Sequence, residues 1–329
     1  MTHPFAQYIQ FLGKGRRGAR DMTQQEAEQA MAMMLKGQAE PAQIGAFLML
    51  MRVKEETVAE MAGLVQASRV AISVPEGFPV VDLDWAAYAG KRRQLPWFVL
   101  SALLLASSGI KVLMHGMDVK SEDRVNTTDA LAALGVANCQ SFAQAAQQLE
   151  QRNFAFILLG AMNPVLQQFL DLKETLGLRS PVHSLVRMLN PARAVTSFMG
   201  IFHPGYDETH QGAAQLLGDT ALAVFKGEGG EAERNPDTDC KVRLLLKGEM
   251  LTETWPALFK SRHMKDETMD ISRLGKLWRG EIEDEYGQAA VQSTAAIALR
   301  AMGRAADMDD AQRQAAAMWQ DRPRDYLAS

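Results

Sequence analysis

Apolar and polar positions follow a helical period over roughly the first 70 residues of this chain. Apolar side chains recur there every three or four residues, a spacing that places them on one face of a helix. Thr23 followed by Glu26 is a capping-box pattern that predicts the start of a helix, and Gly37 predicts its end. Pro41 stands at a favoured first position of the next helix. The pattern therefore predicts an N-terminal unit of helices.

The period changes near residue 78, where short apolar runs begin to alternate with helical segments. The runs FPVVDLDW, IKVLMHG and FAFILLGA read as strands, and LPWFVLSALLLASSG and NTTDALAALG between them read as helices. This β-α-β-α-β order predicts a largely parallel sheet with right-handed crossovers. Further strand-like runs follow later, at AVTSFMGIF, TALAVFKG and KVRLLLKG, and an alanine-rich helical tail closes the chain.

Residues 163–190 return to helical spacing and interrupt the α/β pattern. The order predicts a discontinuous small helical domain, residues 1–72 with 163–190, and a large α/β domain, residues 73–162 with 191–329. The predicted fold class is thus α/β, with a mostly parallel central sheet beside a helical domain.

Net charge, cysteine content and hydrophobicity exclude several classes of protein. The formal net charge of −4 over 329 residues does not resemble that of an overall basic nucleic-acid binder, so a polyanion site requires local clusters. Cys139 and Cys240 are the only cysteines, and their separation predicts neither a disulfide framework nor a zinc site. The sequence has no long apolar run and no leader pattern. We expect a soluble cytoplasmic protein with no membrane partner.

Two basic clusters stand out. The first, in GKGRRGAR, contains Lys14, Arg16, Arg17 and Arg20, and the second, in AYAGKRRQ directly after the first predicted strand, contains Lys91, Arg92 and Arg93. Such clusters suit phosphate contacts, although a basic surface loop is more often only solvated. Four aromatic residues nearby could stack on bases or belong to the core: Tyr8, Phe11, Tyr88 and Trp97. His115, at a strand end, fits a phosphate donor or a structural histidine.

Several segments, in order, resemble the anthranilate phosphoribosyltransferases and their pyrimidine nucleoside phosphorylase relatives. They include the N-terminal helices, MHGMDVKSEDRVNTTDALAALG, NPVLQQFLDLKETLGLRSPVHSLVRMLNPARA and GIFHPGYDETHQGAAQLLGDTALAVFKGEGG. The resemblance implies a helical domain beside an α/β domain. It also implies a cleft in which the family transfers the ribose of phosphoribosyl pyrophosphate to a nitrogen acceptor, with the help of magnesium.

The chain differs from that family at each motif that binds substrate or metal. Residues 86–90, Ala-Ala-Tyr-Ala-Gly, replace the family's Gly-Thr-Gly-Gly-Asp phosphate loop, and His115 and Gly116 are what is kept of its Lys-His-Gly-Asn motif. The resemblance places Lys173 where the family has an acceptor-facing arginine, and Ala232 with Glu233 where it has a magnesium-binding Asp-Glu pair. Ordinary anthranilate phosphoribosyltransferase activity is therefore not expected.

A branch of the family that lacks the phosphate loop is more similar to this chain. Its members form homodimers and bind nucleic acid with little sequence preference, which implies the same function here and no cofactor. The residues implied to bind nucleic acid or phosphate are Lys14, Arg16, Arg17, Arg20, Gly90, Lys91, Arg92, Arg93, His115 and Lys173. The alternative is a phosphoribosyl or other pentosyl transferase with an unknown acceptor, which would need magnesium at Glu233. Single- and double-stranded DNA and RNA all stay open as partners.

Overall fold

The computed structural model describes residues 2–15, 17–118 and 123–328 of the chain. Arg16 lies outside the described residues, so its predicted contact with phosphate stays a prediction. No helix within the described ranges is long and apolar enough to cross a membrane.

Helices form the N-terminal part of the molecule, as the periodicity predicts. They are α1 (Ala6–Gly13), α2 (Gln24–Leu35), α3 (Pro41–Lys54) and α4 (Val58–Val70). The capping box at Thr23 is confirmed: the Glu26 N–H donates to Thr23 Oγ1 at 3.2 Å, and the Thr23 N–H donates to Glu26 Oε2 at 2.9 Å. These contacts satisfy two backbone donors that a helix start leaves open.

The seven-stranded sheet is mostly parallel, which confirms the predicted fold class. Its strands are β1 (Leu83–Ala87), β2 (Val112–Gly116), β3 (Phe154–Leu158), β4 (Thr196–Ile201), β5 (Ala221–Lys226), β6 (Cys240–Leu246) and β7 (Glu249–Trp255). The spatial order is β3-β2-β1-β4-β5-β6-β7, and the antiparallel pairings among the described strands are β5 with β6 and β6 with β7. The sequence prediction missed β7, which is largely exposed and therefore shows no buried apolar pattern.

Ten further α-helices lie within the described residues. They are α5 (Phe98–Ser107), α6 (Thr127–Ala133), α7 (Phe142–Arg152), α8 (Leu159–Met162), α9 (Pro164–Leu176), α10 (Val182–Leu185), α11 (Tyr206–Leu216), α12 (Ser272–Arg279), α13 (Glu285–Ala301) and α14 (Met308–Asp321). The tail predicted as one helical segment is thus two helices, since Asp307 begins the second by accepting the Asp310 N–H at 2.8 Å.

The sheet separates two apolar cores. Leu83, Trp85 and Ala87 of β1 pack into the core under α5 and α13, whereas Ala86 faces the core shared with the N-terminal helices. This alternation follows from the two-residue period of a strand. α5 is buried on every side, which explains its continuous apolar sequence.

Residues after 163 pack near the N-terminal helices. Asn163 Nδ2 donates to the carbonyl oxygen of Ala71 at 3.1 Å, and Phe169 lies in the same core as those helices. The exact boundaries of a discontinuous helical domain stay a prediction. Because β1, β4 and β5 are parallel neighbours, the loops that follow them meet at one edge of the sheet.

Candidate functional site

The loop after β1 meets the segment after β5 at the carboxyl edge of the sheet. Both N–H groups of Ala89 and Gly90 donate to Oε1 of Glu231, each at 2.6 Å. Gly90 has a φ of +69°, and a Cβ added there would lie 2.6 Å from Asn126 Oδ1, so glycine is required. Glu231 is fully buried. The chain's own carboxylate therefore fills the pair of backbone donors that this loop offers to an anion.

Lys91 and Glu233 form a buried ion pair beside that contact. Lys91 Nζ lies 2.5 Å from Glu233 Oε1, and both side chains are at most 1% exposed. The other carboxylate oxygen of Glu233 accepts the Phe98 N–H at 2.8 Å, at the start of α5. Burial raises the pKa of Glu233 to about 7, and the Lys91 charge opposes this rise.

This pairing differs from two sequence predictions. The sequence predicts that Lys91 contacts phosphate from a basic loop and that Glu233 binds a metal, but each side chain is here the buried partner of the other. Ala232 supplies no oxygen ligand from its side chain. Within the described ranges, no group of three or more histidine, cysteine, aspartate or glutamate side chains is arranged to hold a metal. The residues here do not fit a magnesium site, which needs several oxygen ligands.

The outer part of the basic loop does reach the surface. Arg92 and Arg93 are exposed, and Arg92 forms an ion pair with Asp123. The Arg93 carbonyl accepts the N–H of Asp266 at 3.0 Å, which holds the loop against a neighbouring segment. Arg124 donates to the carbonyl oxygen of Ala89 at 2.8 Å, so a further guanidinium supports the loop.

The N-terminal cluster lies on the helical part of the molecule. Lys14 and Arg17 are exposed. Arg20 is committed to Glu26 through two hydrogen bonds of 2.8 and 2.7 Å and lies 3.8 Å from the ring centre of Phe11. The Arg20 hydrogen bonds lower the pKa of Glu26 to about 2. Of the described cations in this cluster, Lys14 and Arg17 are the more available for an external anion.

His115 is a buried structural histidine in this arrangement. Its Nδ1 lies 2.7 Å from the Tyr88 hydroxyl, and its Nε2 lies 3.2 Å from Asp84 Oδ1. None of the three side chains is more than 8% exposed. Tyr8 and Trp97 are buried as well, so the aromatic residues predicted to stack on bases mostly belong to the core.

A cleft that the sequence prediction missed lies next to Tyr88. It encloses a cavity of about 90 Å³, lined among others by Arg52, Arg179, His183, Arg187, Tyr206 and His210. Its signal in the sequence is the four-residue spacing of Arg179, His183 and Arg187, although in the structure Arg179 precedes α10 and Arg187 follows it. Lys173, predicted at the acceptor position, is exposed on α9 and is not part of this lining.

Burial sets the electrostatics of the cleft. Arg179 reaches the surface, and its pKa is lowered by partial desolvation and by repulsion from Arg124 and Arg52. Burial also lowers the pKa values of His183 and His210 to about 4, so both rings are neutral at pH 7. Arg187 Nη1 donates to the carbonyl oxygens of Gly200 and Gly230, each at 3.0 Å. The cleft is therefore cationic through its arginines.

Two family patterns match the chain. Residues 7–71 match "Glycosyl transferase family, helical bundle domain", and residues 99–321 match "Glycosyl transferase family, a/b domain". Similar curated proteins include the uncharacterized protein YbiB of Escherichia coli K12, 28% identical over 73% of this chain and 76% of that protein. Anthranilate phosphoribosyltransferase of Yersinia pestis Pestoides F is 28% identical over 87% of this chain and 88% of that enzyme.

Solved structures show the same fold. Anthranilate phosphoribosyltransferase from Thermus thermophilus superposes with a TM-score of 0.77 at 20% identity, covering 98% of this chain and 99% of that chain. The Saccharomyces cerevisiae enzyme in complex with PRPP and Mg gives 0.78 at 13% identity, covering 98% and 96%. From the two matched patterns, this chain belongs to glycosyltransferase family 3, the anthranilate phosphoribosyltransferase-like family.

Proposed function

We propose that this chain binds nucleic acid without sequence preference, as a homodimer, and does not act as an anthranilate phosphoribosyltransferase. The observation that carries the proposal is the Glu231 carboxylate on the N–H groups of Ala89 and Gly90. A pyrophosphate held by the same donors would have to displace a buried, doubly hydrogen-bonded anion. The loop is thus poorly suited to the family's sugar-phosphate substrate.

Surface charge supports a polyanion in its place. Arg92 and Arg93 are exposed on the loop after β1, and Lys14 and Arg17 are exposed on the helical part. Contacts of this kind neutralise phosphates and release counterions, which gives affinity but no base readout. In a homodimer the two-fold axis repeats each cluster, so one strand can meet several of them.

A transferase with another acceptor is the competing function. Asn126, with a capping box at the start of α6, lies beside Gly90, and the neighbouring Thr127 is buried; both belong to a segment that resembles the family. Against it stand Glu231 in the loop and the Lys91 pair with Glu233. Calorimetry with phosphoribosyl pyrophosphate and magnesium separates the two functions, because the transferase requires binding heat at millimolar ligand.

Charge reversal tests the nucleic-acid function directly. Arg92→Glu with Arg93→Glu should abolish the binding of a labelled single-stranded oligonucleotide at moderate salt. The matched control is Arg304→Glu with Arg313→Glu, which reverses two arginines away from the basic loop. Arg304 pairs with Asp82, just before β1, whereas the loop follows the other end of that strand. Arg313 pairs with Asp310 on α14. Thermal melts establish that both variants fold. Equal affinity of the two double variants would overturn the proposal.

A further inference from the structure

We propose that a cavity at the amino edge of the sheet binds a small aliphatic monocarboxylate. The cavity has a volume of about 320 Å³ and lies among the end of α4, the loop before β4 and the turn before β5. Since β4 and β5 are parallel to β1, their first residues lie at the edge opposite to the loop that carries Gly90. The site is therefore separate from the cleft beside Tyr88 and from the basic loop, and the inference does not rest on nucleic-acid binding.

Hydrogen bonds within the protein fix the walls of the cavity. Arg69 Nη1 and Nη2 donate to the two carboxylate oxygens of Asp219, each at 2.8 Å. Asn190 Nδ2 donates to the carbonyl oxygen of Ala194 at 2.8 Å, and Asn190 Oδ1 accepts the Ala194 N–H at 2.7 Å. Because these walls are held by the fold itself, a ligand does not have to order a loop in order to bind.

One positive charge in the lining has no counter-ion. Two arginines and one aspartate line the cavity, and Arg69 is paired with Asp219. Arg193 is exposed, and its side chain has no ion pair or hydrogen bond within the part of the chain that the structure describes. Its φ of +52° is a left-handed conformation that an arginine rarely adopts and that is common at ligand-binding sites. A single unpaired guanidinium suits a monoanion, and its planar fork matches a carboxylate with two parallel hydrogen bonds.

An unused hydroxyl on the buried side of the cavity is the independent argument. Ser197 lines the cavity at 1% exposure, and its Oγ has no hydrogen-bond partner among the described residues. Asp84, its neighbour on β1, lies 3.2 Å from His115 and is not part of the lining. The side-chain amide of the half-buried Gln66 is a further donor in the lining. A buried hydroxyl without a partner beside a cavity indicates a polar ligand group, and a carboxylate oxygen can accept its proton.

The remaining walls favour an alkyl chain on that carboxylate. Pro191, Val195 and Leu217 line the cavity, and Val195 is 66% exposed despite its apolar side chain. A short branched alkyl chain would cover these side chains and remove apolar surface from water. The volume lies at the lower end of the range of small-molecule pockets, which suits a ligand of this size.

Methyl NMR on the full chain tests the site with isovalerate as the probe. The methyl signals of Val195, assigned with Val195→Ala, should shift in a saturable way at millimolar isovalerate. Isovaleramide has the same shape without the charge, so it should bind at least about tenfold more weakly. Arg193→Gln should weaken isovalerate by about tenfold or more. The matched control is Arg313→Gln, which removes an exposed guanidinium on α14 outside the lining and should bind as the wild type does.

Ser197→Ala separates binding from folding. Because Ser197 Oγ has no partner among the described residues, its removal should not lower the free energy of unfolding, which urea unfolding measures. The same variant should bind isovalerate about fivefold or more weakly, since the carboxylate loses a donor. Three results would each overturn the site: no saturable shift of Val195 at tens of millimolar isovalerate, equal affinity for isovaleramide, and wild-type affinity of Arg193→Gln or Ser197→Ala.

Discussion

Glu231 Oε1 lies 2.6 Å from the backbone nitrogen of Gly90, a residue of the loop that the resemblance aligns with the family's glycine-rich phosphate loop. The same oxygen also accepts the Ala89 N–H. Two backbone donors of this loop thus hold an anion, and that anion is a side chain of the protein itself. This contact is the observation from which we propose that the chain shares the fold of the family without anthranilate phosphoribosyltransferase activity.

Replacement of Glu231 with Ala should uncover an anion site. Two buried N–H groups lose their acceptor, so the free energy of unfolding should fall by about 1 to 3 kcal/mol in phosphate-free buffer. Added pyrophosphate should then restore much of the loss, because it can accept from the same donors. Urea unfolding with and without pyrophosphate measures both effects.

Glu228→Ala, three residues earlier in the same segment, is the control, since Glu228 pairs with Lys265 and Asn235 rather than with the loop. If pyrophosphate stabilises the Glu231→Ala variant no more than this control, the loop does not retain an anion site.

Lys91→Met should destabilise the protein by about 3 to 5 kcal/mol, because it leaves the Glu233 carboxylate buried without its cation. Adding Glu233→Gln should recover most of the loss, since glutamine keeps an acceptor for the Phe98 N–H and carries no charge. Urea unfolding of the single and double variants checks this coupling.

The same double variant tests the placement of Lys91 away from the surface. It should bind a single-stranded oligonucleotide with the wild-type affinity and salt dependence, because no surface cation is removed. A weakened affinity similar to that of Arg92→Glu with Arg93→Glu would show that Lys91 does reach the nucleic acid.

Acid should destabilise the protein through His210, whose folded-state pKa of about 4 lies below the ordinary 6.5. The unfolded chain then binds a proton between pH 6.5 and 4 that the folded chain excludes, so stability present above pH 6.5 is lost as the pH falls toward 4. The size of this loss is on the order of 3 kcal/mol.

His210→Gln removes that titration while keeping a donor for the Tyr206 carbonyl, which His210 Nδ1 contacts at 2.6 Å. We therefore expect the stability difference between wild type and variant to shrink as the pH falls from 7 to 4. Chemical unfolding at a series of pH values measures this difference. Parallel curves for the two proteins would contradict a depressed pKa at His210.

Much of the fold can be predicted from the sequence because its strands and helices are marked by burial. β1, β2 and β3 are short apolar runs with every residue buried or nearly so, and α5 is apolar throughout. β7 was not predicted because it is held by backbone pairing with β6 and its side chains are mostly exposed, so its sequence shows no apolar pattern. The period of apolar residues predicts buried elements, and it does not predict an exposed strand.

The site is harder to predict, because its main features depend on contacts between distant segments. Lys91 and Arg92 are neighbours in a run of basic residues, yet one is buried against Glu233 and the other is exposed. Glu231 meets Gly90 across 141 positions of the chain. Local sequence shows the charge of a cluster, but only the fold decides which cations are balanced internally.

The measurement that tests the central claim most directly is the fluorescence anisotropy of a labelled single-stranded oligonucleotide, titrated with the wild-type protein at several salt concentrations. We predict binding at low salt and a linear fall of the logarithm of the association constant with the logarithm of the salt concentration, with a slope that corresponds to several phosphate contacts. An absence of binding at low salt, together with binding of phosphoribosyl pyrophosphate and magnesium, would contradict the account and favour a transferase.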